Sequence, residues 1–365
     1  MASHVRYNQL DSLRGIAALT VVAEHCMNTL GKAPVKNWFA HFSPLHVLIS
    51  GHQAVILFFL LSGFVLSLPY YQGRIYTYTE FITKRVFRLY IPYIIALAFG
   101  LMMRVIFVHH SIDGLWGGHI GPKIILQELF MLDQFNQNYV DPVVWSLVQE
   151  MRISLIFPLL ILFLSRYRWK TVIVTGFAVS CIGIYVHLLF RSHVNVFTNY
   201  PDTLHYIIIF IMGAVLAKHK DTLVAYLRRT PKTAKWSLGI TALLLYTYTQ
   251  SLLSQHWALG LGLTGRLMSD WITALSASVF ILLAISEPGV KRALSVRPLV
   301  FIGKISFSIY LFHLIILLSL ISLFPHLHVL DVAGTFLLTI GLATAGYYYV
   351  ERPSIRIGKI VVQRL

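Results

Sequence analysis

Apolar residues along this chain gather in long, nearly unbroken blocks, and polar residues are confined mostly to the stretches between them. Strict alternation, the mark of a half-buried strand, is missing, which disfavours an outer-membrane barrel. Blocks of this length predict membrane-crossing helices, since about 20 residues at roughly 1.5 Å each cover about 30 Å of hydrocarbon. Ten spans are expected, at residues 13–30, 53–69, 89–108, 144–164, 171–190, 204–217, 236–253, 270–286, 305–323 and 330–349. The shortest is 204–217. Within the 109–143 segment, the run Ile124–Leu132 is apolar enough for a short helix lying at the interface. The expected fold is an all-α polytopic membrane protein of about ten transmembrane helices. It forms one domain over 1–365, with no appended soluble domain, because no long polar stretch exists to build one.

Composition sharpens this picture. The chain is 57% hydrophobic and only 12% charged, against about 25% charged in ordinary soluble domains. Too few ionised groups remain to cover a water-exposed surface. A net charge of +16 could suggest nucleic acid, but its placement says otherwise. With the N-terminus inside, cytoplasmic segments hold 22 of the 30 Lys and Arg residues. Loops on the other side hold five (Lys32, Lys36, Lys123, Arg191, Arg266), and Arg14, Arg104 and Arg152 fall inside spans. This is the positive-inside pattern, so both termini are expected in the cytoplasm and the lipid bilayer, not nucleic acid, is the partner. The expected location is the inner, cytoplasmic membrane, crossed many times. Residues 1–12 are polar and no A-x-A site follows the first span, so no cleaved signal is expected. Cys26 and Cys181 lie inside apolar spans and give no disulfide framework.

Function then rests on polar groups held at membrane depth, where ionisable residues cost about 2.5–3.5 kcal/mol each and are retained for a reason. The first span is densest, with Asp11, Arg14, Glu24 and His25. Arg14 and His25 are eleven residues apart, about three turns, so they share one helix face with an axial separation of roughly 16.5 Å. Glu24 and Cys26 point about 100° to either side.

At this point the residues carry a resemblance. Arg14 and His25, in a span opening LDSLRGIAAL, resemble the first-helix signature of the acyltransferase-3 family of membrane O-acyltransferases. ILFFLLSGFVLS (56–67) is similar to the family's second-helix block, and KRVFRLYIPY (84–93) to its RxxR loop and proline-bearing helix. VVWSLVQEMRISLIFPLL (143–160) resembles the WSL-x-x-E block, and GKISFSIYLFH (303–313) and YYYVERP (347–353) resemble C-terminal signatures. The blocks occur in family order along the whole chain. Two departures stand out: GHQAVIL precedes Phe58 without the usual glycine-valine-acid stretch, and Met151-Arg152 follows Glu150 in place of an acid and glutamine.

The resemblance implies transfer of an acyl group, usually acetyl, from cytoplasmic acyl-CoA to a hydroxyl of a carbohydrate at the outer face. Transfer to an alcohol needs a base for the hydroxyl proton, and the imidazole of His25 has a suitable unperturbed pKa near 6.5. The polyanionic nucleotide end of CoA suits Arg85, Arg88 and Arg14, because the planar guanidinium fork matches phosphate. The pantetheine arm, on the order of 15–20 Å extended, matches the rise from Arg14 to His25.

Glu150 is a third candidate for the catalytic set, either orienting His25 or serving as a structural interhelical partner. Arg152, about 200° away on the same helix, cannot be that partner. Ser62-Gly63 admits close backbone approach, for a ligand or for helix packing. Ser306, Tyr310 and His313 share one face of the ninth span, and with Ser62 and Trp145 they are candidate substrate-lining residues. Glu351 is expected to meet a cytoplasmic arginine. No histidine spacing predicts a metal site, and no P-loop or dinucleotide fingerprint is present. A transporter or flippase remains the alternative from composition alone, since buried charges also mark substrate paths. The absence of a detectable inverted repeat favours the enzyme.

Overall fold

In a computed structural model the structure describes residues 7–29, 39, 43–74, 76–107, 114–190, 198–254, 261–324 and 328–365. Arg6, Lys32, Lys36 and Arg191 lie outside them. The described residues are 88% helical.

Helix α1 runs Asn8–Thr29 and α2 Gly51–Tyr71. Helix α3 occupies Tyr78–Phe107, starting at a capping box in which Thr77 accepts from the Glu80 amide while Glu80 accepts from that of Thr77. A π turn at Val86–Tyr90 widens α3 where Arg88 sits. Helix α4 (Pro122–Phe130) begins with proline at its first position and ends at Met131, whose φ of 54° closes the last turn. It falls on the apolar run expected at Ile124–Leu132. There follow α5 (Val144–Arg166), α6 (Trp169–Leu189), α7 (Tyr200–Arg229), α8 (Lys232–Ser254), α9 (Gly262–Ser286) and α10 (Pro288–Leu294). Helix α11 (Arg297–Leu323) is followed by α12 (His328–Gly346), which passes through a second π turn (Tyr347–Glu351) into α13 (Arg352–Arg364).

Six of these, α2, α3, α5, α6, α9 and α11, are long and apolar enough to cross a membrane, so the protein is a multi-pass membrane protein. The remaining expected spans lie on α1, α7, α8 and α12. Helix α1 is diluted by Asp11, Arg14, Glu24 and His25, and α7 by the charges from Lys218 onward, Lys220, Asp221, Arg228 and Arg229 among them.

The chain divides into two compact units. The first takes residues 1–24, 32–71 and 209–306. Here α2 and α7 cross at reciprocal glycines: a Cβ on Gly63 would strike the Phe210 carbonyl, and one on Gly213 the carbonyl of Leu60. Gly63 therefore sits at a close helix crossing. Arg266, expected in a loop, sits in the first turns of α9 and donates to His52 Nδ1 at 3.0 Å. His52 Nε2 in turn meets Asp270 Oδ1 at 2.7 Å.

The second unit takes residues 25–31, 72–208 and 307–365. Its core joins Leu89, Tyr93 and Leu97 of α3 to Leu147 and Met151 of α5 and to Leu311 and Phe312 of α11. The segment from Gly114 to Val143 is folded onto this core. Trp116 Nε1 donates to the Val140 carbonyl at 2.7 Å, and Tyr90 and Tyr93 donate to the carbonyls of Leu129 and Glu128. Glu128 and Asp141 are buried there, with Glu128 Oε1 and Asp141 Oδ2 lacking hydrogen-bond partners. Arg152 closes the segment, donating to the carbonyls of Leu132, Asp133, Thr198 and Asn199 and lying over the Tyr200 ring at 4.4 Å.

Candidate functional site

Each chemistry-bearing group of the second unit is held by a helix whose apolar remainder is packed, so its position is set by the core rather than by a loop. His25 lies near the end of α1 and is half-buried. His313 lies on α11 with none of its surface exposed. The two rings meet: His313 Nε2 is 3.3 Å from His25 Nδ1, and the centroids are 5.2 Å apart at 52°. The other ring nitrogen of His313 faces the carbonyls of Ile309 and Tyr310 at 3.1 and 2.8 Å, on its own helix.

One turn back on α11, Tyr310 spans to α5. Its hydroxyl donates to the Val143 carbonyl at 3.0 Å and lies 2.6 Å from Ser146 Oγ. Ser146 Oγ lies 3.4 Å from the same carbonyl, so the two hydroxyls share one acceptor and either can donate to the other. Ser306 turns inward on its own helix and donates to the Gly303 carbonyl at 2.9 Å. The expected face of Ser306, Tyr310 and His313 is thus buried, with two members engaged across helices. Trp145, on the first turn of α5, packs its ring 6.0 Å from that of Tyr206.

Farther along α5, Glu150 accepts from Arg85 NH2 at 2.6 Å, and Ser154 Oγ accepts from the same nitrogen at 2.9 Å. Glu150 thus has an ion partner on another helix, Arg85. Arg85 is only 5% exposed, and its Nε has no acceptor. Arg88 is exposed at the π turn. Arg14 lies in the first unit, 3.9 Å from Asp11 one turn away. Ser308 donates to Glu351 at 3.1 Å.

The sequence did not point to Ser146 or to the pairing of His25 with His313. Ser154 had a signal, since it sits four residues after Glu150 and so on the same helix face. Among the described residues, no group of three or more His, Cys, Asp or Glu is placed to hold a metal ion.

Two buried carboxyls of the 114–143 segment have raised pKa values. Burial, reinforced by Asp141 and opposed by Arg104, pushes Glu128 up to about 8. Burial, opposed by a hydrogen bond from the Val143 amide, pushes Asp141 up to about 8 as well.

Comparison with known proteins adds a separate observation. A family model described as an acyltransferase domain matches residues 7–349. The chain is 24% identical over 371 residues to "O-acetyltransferase OatA" of Staphylococcus aureus (strain NCTC 8325 / PS 47), covering 94% of this chain and 56% of that protein. The same match is found in strain COL. The chain therefore spans little more than half the length of these curated relatives. It is 31% identical over 173 residues to "Protein 2 in picA locus" of Rhizobium radiobacter, covering 42% of this chain and 81% of that protein. No solved structure matches.

Proposed function

The chain belongs to the acyltransferase-3 family and is an acyltransferase, and on that premise we propose that it moves an acetyl group from acyl-CoA to a hydroxyl of a cell-surface or periplasmic carbohydrate. The observation that carries this reading is the imidazole of His25, set by packed helices against His313 at 3.3 Å. Such an imidazole is what acyl transfer to an alcohol requires.

In the proposed step His25 accepts the acceptor hydroxyl proton as the oxygen attacks the thioester carbonyl. The C–O bond forms, the C–S bond breaks, and the imidazolium returns the proton to the departing CoA thiolate. No metal or redox partner enters this balance. On the donor side, Arg88 is exposed and Arg85 keeps an uncommitted Nε, so both offer hydrogen-bond donors to phosphate. Arg14 carries the same guanidinium fork and is kept as a candidate for the donor's phosphates. Both termini and the nucleotide of the donor are on the cytoplasmic side of the inner membrane in this reading, which the distribution of Lys and Arg supports for the termini.

The test is to supply labelled acetyl-CoA to inside-out membrane vesicles expressing the protein. Label on glycan is expected. Unlabelled glycan beside normal protein levels would overturn the proposal.

A further inference from the structure

His313 was singled out as a lining residue, but its hydrogen bonds assign it different work. Its Nδ1 faces two backbone carbonyls, Ile309 at 3.1 Å and Tyr310 at 2.8 Å. Carbonyl oxygens only accept, so Nδ1 must carry the hydrogen. In a neutral ring the lone pair is then on Nε2, the nitrogen 3.3 Å from His25 Nδ1. A contact between those two nitrogens needs one hydrogen, and only His25 can supply it. His25 is therefore the Nδ1–H tautomer, with its lone pair on Nε2.

We infer that His313 is a positioning residue that fixes the tautomer and ring plane of His25, so that Nε2 of His25 is the atom that takes the acceptor proton. This rests on the reading of His25 as the base and adds which nitrogen acts and what selects it. The order is carbonyl, imidazole, imidazole, hydroxyl, with the inner imidazole in the place a carboxylate holds in hydrolytic triads. The neutral inner ring orients without adding a charge beside the substrate. Full enclosure of His313 keeps bulk water from its Nε2, leaving His25 as that nitrogen's partner. The tyrosine one turn earlier, bound to Ser146 on α5 and to Val143 just before it, holds that turn of α11 in place.

Three substitutions and one spectroscopic measurement test the inference. His313→Asn keeps an amide near the Nδ1 position but cannot reach His25. His313→Gln places an amide oxygen near the Nε2 position, where it can accept from His25 Nδ1. His313→Ala and His313→Asn should lower kcat between about 10-fold and 10³-fold, with the KM for acetyl-CoA within about twofold. That range starts with the roughly 10–100-fold typical of losing an orienting hydrogen bond on a metal-bound imidazole, and stays below the about 10⁴-fold loss when the wrong tautomer is enforced. His313→Gln should recover most of the activity. A merely structural role would not separate Gln from Asn. In detergent-solubilised wild-type protein, ¹⁵N shifts of the His25 ring, assigned by their absence from His25→Ala, should report hydrogen on Nδ1. Hydrogen on Nε2 overturns the inference whether or not the variants fold. Full turnover in His313→Ala beside an inactive His25→Ala also overturns it while leaving the base intact. An active His25→Ala instead removes the base, and with it the premise.

Discussion

Arg85 and Glu150, 65 residues apart in the chain, meet at 2.6 Å and share Ser154 as a second acceptor for the same guanidinium nitrogen. Removing one member of such a pair strands the other in a poorly hydrated place, at a cost of about 3–5 kcal/mol for a fully buried pair. Glu150 retains 18% exposure, so Arg85→Ala should fall at the lower end, about 3 kcal/mol. Thermal unfolding in detergent checks this: Arg85→Ala and Glu150→Ala should each destabilise markedly, and the double variant should cost less than their sum.

Arg88, exposed one turn beyond Arg85, makes a contrasting prediction. Arg88→Ala should leave unfolding within about 0.5 kcal/mol of wild type, as for exposed positions generally. It should raise the KM for acetyl-CoA more than it lowers kcat, because a contact to the remote nucleotide is the same in ground and transition states. An unchanged KM would remove Arg88 from donor binding.

The carboxyl pair of the 114–143 segment predicts an unusual pH dependence. Both groups have folded-state values of about 8, above their ordinary values near 4. The folded state therefore holds more protons than the unfolded chain between about pH 4 and pH 8, and stability falls as pH rises through that window. Above about 8 the loss levels off. Glu128→Gln and Asp141→Asn should flatten the slope and raise the unfolding temperature at pH 8.5. A stability that instead rises from pH 5 to pH 8 would contradict buried, protonated carboxyls.

His25→Ala should remain folded and inserted, since one imidazole is a small part of the helical packing, while turnover falls by about 10²–10⁴-fold, the range of a positioned base. Arg14→Lys keeps charge but loses the fork, so it should be impaired less than Arg14→Ala. Near-normal transfer by His25→Ala would end the proposed mechanism without touching family membership.

The long helices were legible because each registers as an apolar block, and the short helix at Pro122–Phe130 showed as a run within a polar segment, whereas α10 and the charged α13 did not. The reciprocal glycines were half legible: Ser62-Gly63 read as a close approach, but Gly213 did not announce itself as the partner. The π turns at Val86–Tyr90 and Tyr347–Glu351 left no sign, since one added residue in a turn changes no composition. Side-chain pairing was the least visible layer. Glu150 plainly needed a partner on another helix, yet nothing in one sequence distinguishes Arg85 from any other cation. His25 and His313 stand 288 positions apart, beyond the reach of any periodicity, and only the packing of α11 brings them together.

The carbonyls gathered by Arg152 also set an order of assembly. Leu132 and Asp133 are synthesised before Arg152, whereas Thr198 and Asn199 emerge only after α6 is complete. A nascent chain halted between α5 and α6 would thus hold the first half of this cluster with a guanidinium still seeking acceptors. The segment around Met131 should accordingly become protease-resistant only once ribosomes have passed the start of α7, making Arg152 the point at which early and late parts of the second unit are committed to one another.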